Sequence, residues 1–196
     1  AGFDAGSLRA LTITHAIVFG GGGLQDDDDD DAASSPPVIV QRATAGQESA
    51  RRIPRKLLHA ISIAESGRWD KNRRENTAWP WTVTSGGKGR YLPTKQAAIR
   101  AVRKLKRQGV RNIDVGCMQV NLHYHGKAFT NLEEAFNPIN NVAYATTFLM
   151  ELRQKRNSWT RAIKEYHSTN RERQSHYRNK VMASWNAIKK GKLNTA

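Results

Sequence analysis

The sequence predicts a mainly α-helical domain that carries one small β-hairpin. Several segments between residues 54 and 189 repeat apolar residues three or four positions apart, which is the spacing of one helix face, and most of these segments begin at a residue type that caps helices. One stretch, residues 77–92, instead places β-forming residues on both sides of the turn sequence SGGKG. Little other sheet is expected.

Residues 1–50 are expected to form a disordered tail and linker. Residues 20–37 read GGGGLQDDDDDDAASSPP, and glycine, a block of like charge and a proline pair cannot bury a hydrophobic core. Residues 10–24 follow Arg9 and have the length of a signal-peptide core without a clean cleavage site. They represent either the remnant of an export signal or a flexible tail. The folded domain is predicted to occupy residues 51–196.

The formal net charge of the chain is +15, and the positive charge lies after residue 50, because residues 1–50 carry two basic and eight acidic residues. A basic body favours a polyanionic partner such as nucleic acid, an anionic wall polymer or a membrane surface. The basic residues are scattered over several predicted helices, and no zinc-finger, RRM or basic-zipper pattern is present, so nucleic acid is not the expected partner. No apolar run reaches the roughly 20 residues of a membrane span, so no transmembrane segment is expected.

The first predicted helix covers residues 54–66 and ends at Gly67. Leu58, Ile61 and Glu65 fall on one stripe of this helix, so a carboxylate extends an apolar face. Glu65 also lies in the last turn, where the helix dipole favours Lys or Arg. Because this placement does not favour the helix, we expect a functional reason for Glu65.

Each helix after the hairpin is predicted from the residue that caps it. Thr94 caps a helix that runs to Gln108, and residues 113–125 show no helical period. The later helices are predicted to begin at Thr130, at Asn137 with Pro138 in the first turn, at Ser158 and near residue 172, and the last one ends near residue 189.

Four motifs occur in order along this chain: AES at 64–66, GCMQ at 116–119, NNVAYATTFL at 140–149 and EYHS at 165–168. Together they resemble the SLT-domain lytic transglycosylases, which share the goose-type lysozyme fold. The pattern of that family is a catalytic Glu followed by Ser at a helix end, then Gly-Leu-Met-Gln, a helix with an Asn and an Ala-Tyr pair, and Ala-Tyr-Asn-Ala-Gly. The resemblance covers about residues 52–185, and the stretches NTAWPWTV and IDVGCMQVNLHYH are similar to the short single-domain members found in alphaproteobacteria.

The resemblance implies a lysozyme-like helical fold and an enzyme that cleaves peptidoglycan glycan strands without a cofactor or a metal. Glu65 would protonate the oxygen between MurNAc and GlcNAc and then act as a base on the C6 hydroxyl of the same MurNAc, which closes to a 1,6-anhydro ring. Such an enzyme would be periplasmic or otherwise exported, and a flagellar or secretion apparatus is a candidate partner.

The resemblance also implies roles for other residues of the motifs. Gln119 and the backbone around Met118 would line the cleft, and Tyr166 would hydrogen-bond the Glu65 carboxylate and orient it. Where the family ends in Asn-Ala-Gly, this chain departs from the pattern with residues 167–169, His-Ser-Thr. The remaining positions carried over as neighbours of the substrate are Ser66, Asn121 and Tyr144.

Two other functions remain open at this stage. An apolar pocket favours the protonated form of a carboxyl group, which an acid catalyst needs. A hydrolytic muramidase of the usual kind needs a second carboxylate, and Asp70, Glu75 and Asp114 are the candidates. A catalytically inactive wall-binding factor is the third alternative.

Some reactive or aromatic residues have structural interpretations beside the functional ones. Cys117 is the only cysteine, and a buried core thiol is expected rather than a nucleophile paired with His123 or His125. The same two histidines have too few neighbouring ligand residues for zinc. The aromatic residues that could stack on sugars or belong to the core are Trp79, Trp81 and Tyr91. The basic face of the last helix is expected to be solvated surface, or to attract the carboxylates of wall peptides.

Overall fold

The computed structural model describes residues 35–167 and 170–191, and the predicted export-signal segment lies outside them. The mainly helical class is confirmed. The helices are α1 (Pro36–Ala50), α2 (Leu57–Ser66), α3 (Lys95–Arg107), α4 (Leu132–Ala135), α5 (Pro138–Arg156), α6 (Trp159–His167) and α7 (Arg171–Lys189). The strands are β1 (Gly67–Asp70), β2 (Glu75–Ala78), β3 (Thr82–Ser85), β4 (Lys88–Tyr91), β5 (Ile113–Val115) and β6 (Val120–Asn121).

Helix α1 corrects the predicted start of the domain at residue 51. Residues 36–50 were expected to belong to the linker, yet they form a helix that packs against α5 and α2. Val40 of this helix is fully buried in the main core. The proline pair that suggested a linker occupies the first turn of the helix, where proline needs no backbone donor. The folded part of the chain therefore includes α1.

Glu48 of α1 caps the N-terminus of α2. Its carboxylate oxygens accept hydrogen bonds from the backbone N–H groups of Lys56 at 2.6 Å, Leu58 at 2.8 Å and His59 at 3.3 Å. A helix N-terminus leaves such donors without partners in the helix and carries the positive end of the dipole. Helix α2 begins at Leu57 rather than at the predicted Pro54, because Lys56 adopts a left-handed φ of 67°.

Helix α2 is buried on nearly all of its faces, because α1, α7 and the β1–β2 hairpin all pack against it. It ends at Gly67, as the sequence predicted. A Cβ atom at Gly67 would lie 2.4 Å from the carbonyl oxygen of Ile63, so the close approach of the chain to its own helix requires glycine here. The last turn of α2 is thus held in a crowded and well-defined position.

The predicted hairpin is present as β3 and β4, with Gly86 and Gly87 at positive φ in the turn. Strand β5 pairs antiparallel with the other edge of β3, and β6 pairs with β5, so the sheet order is β4-β3-β5-β6. A second hairpin, β1–β2, follows α2 directly, although the sequence predicted little sheet beyond the first hairpin. The charged residues in these two strands interrupt the alternation of apolar and polar residues from which a strand is predicted.

Two hydrophobic cores lie on either side of the sheet region. The larger core is formed by helices α1, α2, α5, α6 and α7, and the smaller one joins β3 and β5 to α3 and α4. The side-chain caps confirm the helix starts predicted at Thr94 and Asn137. Within residues 35–167 and 170–191, no helix is both long enough and apolar enough to cross a membrane.

Candidate active site

A cleft with a volume of about 820 Å³ lies between the helical core and the sheet, and we call it the cleft. On one side it is lined by the end of α2 and by residues of α5, α6 and α7, and on the other by β5, β6 and the β3–β4 turn. Five of the seven predicted site residues line it, namely Glu65, Gln119, Asn121, Tyr144 and Tyr166. Ser66 and Met118 lie behind its surface and are fully buried.

The Glu65 side chain reaches the cleft from the last turn of α2, and 8% of it is exposed. Its oxygen Oε1 lies 3.7 Å from Nδ1 of His167, the last residue of α6. The ammonium group of Lys180 on α7 donates a hydrogen bond to the carbonyl of Ala64, next to Glu65. The positive charge of Lys180 therefore lies at the negative end of the α2 dipole and partly compensates it. Residue spacing within α2 alone gave no sign of this compensating charge.

Residues 116–119, which we call the GCMQ turn, are held by one buried side chain. Asn141 on α5 accepts from the Met118 N–H at 2.9 Å and donates to the carbonyls of Val115 at 3.1 Å and Ala135 at 3.0 Å. Gly116 has a φ of 82°, and a Cβ atom there would lie 2.3 Å from the Asn141 amide nitrogen. Glycine is therefore required both by the backbone conformation and by the asparagine packed against it.

Gln119 ends the GCMQ turn in a left-handed conformation with a φ of 49°. Such conformations are costly for residues other than glycine and are frequent at functional sites. The side-chain nitrogen of Gln119 donates to the carbonyls of Gly116 at 2.8 Å and Thr82 at 3.3 Å. The amide is thus fixed in the wall of the cleft by the backbone of the turn and of β3.

Ser66 connects the end of α2 to the GCMQ turn. Its hydroxyl lies 2.9 Å from the carbonyl of Cys117 and 3.0 Å from that of Ser62, and it accepts from the Trp79 N–H at 3.2 Å. Ser66 therefore positions the backbone beside Glu65 rather than reaching the cleft.

The predicted hydrogen bond between Tyr166 and Glu65 is absent, and this prediction is corrected. The Tyr166 hydroxyl donates its proton to the Met118 carbonyl at 2.9 Å. Tyr166 remains close enough to Glu65 that the carboxylate adds to the effect of burial, and both raise the pKa of Tyr166 well above its usual value. Tyr166 thus fixes the GCMQ turn from the side of α6.

Tyr177 of α7 is a site residue that sequence reasoning missed. Its ring stacks on that of His167 with the centroids 4.4 Å apart and the planes at 7°. Its hydroxyl is buried close to the Glu65 carboxylate. Burial first, and the nearby Glu65 carboxylate second, raise the pKa of Tyr177 well above its usual value.

Asp114 is the one of the three candidate second carboxylates that lines the cleft. Asn121 donates to Asp114 Oδ1 at 2.7 Å, while the Asn121 side-chain oxygen accepts from the backbone of the following turn. Burial raises the pKa of Asp114 despite this hydrogen bond, and the charge of Glu65 raises it further. Asp70 and Glu75 belong to the β1–β2 hairpin and do not line the cleft.

Aromatic side chains from α5 and from residues 124–125 line another part of the cleft. The Tyr144 hydroxyl and His125 Nδ1 share a hydrogen bond of 2.9 Å, and the His125 ring contacts Phe148 edge to face with the centroids 4.8 Å apart. Burial lowers the pKa of His125. Tyr124 stands at the rim with 76% of its surface exposed, which leaves a ring face open to a sugar.

The structural interpretations of Cys117 and of the tryptophans fit the structure. Cys117 is fully buried, and burial raises the pKa of its thiol to about 12, so it is not a nucleophile. Trp79 is 7% exposed, and neither Trp79, Trp81 nor Tyr91 lines the cleft. In the part of the chain that the structure describes, no group of three or more His, Cys, Asp or Glu residues is placed to bind a metal ion.

Helix α7 supplies two cleft residues that sequence reasoning did not find, Arg173 and Lys180, and the buried Tyr177 lies between them on the same helix face. Arg173, Tyr177 and Lys180 lie at positions i, i+4 and i+7 of one helix face. This spacing could have indicated a shared face, but only the packing of α7 against α2 shows that the face meets the cleft. The basic residues of this face therefore belong partly to the site and not only to the solvated surface.

A nearly buried carboxyl that faces an open cleft is the kind of group that a glycan-cleaving enzyme uses as its acid. The family described as transglycosylase SLT domain matches residues 43–188. The chain therefore belongs to this family, whose members are peptidoglycan lytic transglycosylases, that is, glycan-cleaving lyases. The match begins within α1, in agreement with the corrected start of the domain. Searches of curated protein sequences and of solved structures gave no significant match.

Proposed function

We propose that this enzyme cleaves the β-1,4 bond between MurNAc and GlcNAc and releases a 1,6-anhydroMurNAc end, with Glu65 as the acid and then the base. The observation that carries the proposal is the Glu65 carboxyl, which faces the cleft with 8% of its side chain exposed. A carboxyl in such a site can hold a proton for the leaving oxygen and take one back from an attacking hydroxyl. The substrate supplies the nucleophile, so one carboxyl is sufficient.

The cleft supports the binding of a glycan strand. Its volume of about 820 Å³ lies toward the upper end of the range for ligand sites, and it is lined by polar groups on the sheet side and aromatic rings on the helical side. Gln119 and Asn121 would contact the polar groups of the sugars, and Tyr124 and Tyr144 would contact the ring faces. The backbone of Cys117 and Met118 behind this surface is held in place by Ser66, Asn141 and Tyr166.

A hydrolytic muramidase is the second candidate function, and the position of Asp114 favours it. Asp114 lines the same cleft as Glu65 and is oriented by Asn121, so it could direct a water molecule toward the sugar. The two functions differ in the end that they leave on MurNAc: a hydrolase leaves a reducing end, and a transglycosylase leaves an anhydro ring.

Mass spectrometry of the fragments released from purified sacculi tests the proposal. Anhydromuropeptides are expected from the natural chain, and none above background from Glu65→Gln, because the amide cannot give a proton. Binding of Glu65→Gln to sacculi should persist. Asp114→Asn is expected to release the same anhydromuropeptides as the natural chain. Reducing-end fragments that disappear in Asp114→Asn would establish the muramidase instead.

We also propose that the enzyme acts outside the cytoplasm, in the periplasm or at the wall, because its substrate is the wall polymer. A flagellar or secretion apparatus that needs a local gap in the wall is the candidate partner. Fractionation of cells and copurification with such an apparatus test the two proposals separately.

A further inference from the structure

His167 places an imidazole beside the Glu65 carboxylate. Its Nδ1 atom lies 3.7 Å from Glu65 Oε1, which is an ion-pair distance and longer than a hydrogen bond. The ring is held flat against Tyr177, with the planes at 7°, so the direction of the nitrogen is fixed. The sequence motif of the family has Asn at this position, and an amide cannot titrate. The histidine therefore adds a proton-carrying group beside the carboxyl.

The charged and titratable groups around His167 come from four elements. Glu65 on α2 and Asp114 on β5 favour its protonated form, and Lys180 on α7 disfavours it. Arg173 also lines the cleft on the α7 side, and Tyr166 precedes His167 on α6. Glu172 and His176 of α7 border a second pocket beside His167 and do not line the cleft. The interaction with the Glu65 carboxylate is the largest effect, and it raises the pKa of His167 against the effect of partial burial.

We propose that His167 is a positioning residue that holds, beside Glu65, the one proton that the reaction needs. The inference rests on the proposed role of Glu65 as the acid. When two such groups interact, protons leave the pair in two steps, and the last proton is retained to higher pH than by the carboxyl alone. The pair therefore holds this proton to a higher pH than an isolated imidazole would, because the neighbouring carboxylate raises the pKa of His167.

The proton moves to Glu65 when the sugar fills the cleft. The bound sugar displaces water from the cleft, and without water an ion pair is less stable relative to a neutral imidazole and a neutral carboxylic acid. The Nδ1–H proton therefore passes to Oε1. The two atoms must approach by about 1 Å for this step, and catalytic hydrogen bonds are often long before substrate binds.

The proton count closes over one reaction. Glu65 gives its proton to the glycosidic oxygen as the C1–O bond breaks, and the GlcNAc hydroxyl leaves. The C6 hydroxyl oxygen then bonds to C1, and its proton passes to Glu65. After the product leaves and water returns, that proton goes back to His167 and restores the ion pair. No oxidant, reductant or further reactant is needed.

The pH profile of kcat/KM on purified sacculi tests the proposal with His167→Asn. Asn keeps a polar group and restores the residue of the family motif, but it cannot hold the proton. The alkaline limb of the profile is expected to move to lower pH, and kcat/KM on that side should fall about tenfold for every pH unit by which the limb moves. His176→Asn, which removes an exposed imidazole of α7 outside the cleft, should keep the natural profile.

A second measurement does not depend on activity. The titration of His167, followed by NMR, should occur at lower pH in Glu65→Gln than in the natural chain, because the carboxylate no longer stabilises the imidazolium. His167→Gln provides a second variant if His167→Asn unfolds. An unchanged alkaline limb in the folded variants, or an unchanged His167 titration in Glu65→Gln, would overturn the inference. The proposed function would still stand if Glu65→Gln alone abolished the anhydro product.

Discussion

Asn141 shows how one buried side chain sets the geometry of the site. It is fully buried on α5 and satisfies one N–H and two carbonyls of the GCMQ turn and its neighbours. Loss of such a group leaves several buried polar atoms without partners, and each of them costs roughly 1–3 kcal/mol. We therefore regard Asn141 as the principal support of the GCMQ turn in the wall of the cleft.

The change Asn141→Ala is expected to lower the free energy of unfolding by about 3 kcal/mol. It should also reduce activity below the level that the loss of folded protein explains, because Gln119 and Met118 lose their fixed positions. Urea unfolding and product release from sacculi measure the two effects. Asn140→Ala, one residue earlier on the same helix, serves as the control and should change stability by less than about 0.5 kcal/mol. Equal effects of the two changes would refute this role of Asn141.

At the same scale, the residues show which site features a sequence can predict. Glu65 was identified because its place in a helical stripe and in the helix dipole is a property of spacing alone. The partner of Tyr166 was predicted wrongly, because the choice between the Met118 carbonyl and the Glu65 carboxylate depends on how α6 packs against the GCMQ turn, which residue spacing does not determine. His167 stood out only as a departure from a motif, and its contact with Glu65 requires the packing of α6.

Among the elements, α1 was missed and α7 was underestimated, for different physical reasons. The proline pair at the start of α1 is compatible both with a linker and with a first helical turn, and local sequence does not distinguish them. Helix α7 was predicted with nearly correct bounds, but its role depends on which face meets α2. Helices with side-chain caps, such as α3 at Thr94, were the most accurately predicted.

Helix α1 leads to a prediction about the catalytic helix. Glu48→Ala should lower the free energy of unfolding by about 1–2 kcal/mol, because three N–H groups at the start of α2 lose their acceptor. Thermal unfolding measures the effect. Ser49→Ala, at the exposed neighbouring position, is the matched control and should have little effect.

A truncation tests the same element as a whole. A chain that starts at residue 51 lacks α1 and should fail to give a cooperative unfolding transition, whereas a chain that starts at residue 35 should retain one. If both chains unfolded alike, α1 would be dispensable and the domain boundary predicted from the sequence would be adequate.

For the whole molecule, acid stability depends on a buried histidine that does not line the cleft. Burial lowers the pKa of His59 on α2 from 6.5 to about 4. Between these pH values the unfolded chain binds a proton at His59 and the folded chain does not, so the stability contributed by His59 is present above pH 6.5 and is lost as the pH falls toward 4. The loss amounts to about 3 kcal/mol at most.

Urea unfolding at neutral and acid pH checks this prediction. The natural chain should lose more stability on acidification than His59→Leu, which cannot take up a proton. The comparison removes the contributions of other titrating groups, since both chains share them. Parallel pH dependence of the two chains would show that His59 is not the responsible group.

The attachment of the GCMQ turn has a consequence for how this chain can vary. Three helices each contribute one side chain that forms a hydrogen bond to a different backbone atom of the GCMQ turn. These side chains are Ser66 of α2, Asn141 of α5 and Tyr166 of α6. Connecting segments usually accept added or deleted residues, because nothing outside them depends on their length. Here one extra residue would break at least one of these three hydrogen bonds. This short connection should therefore tolerate changes of length less than any other in the domain.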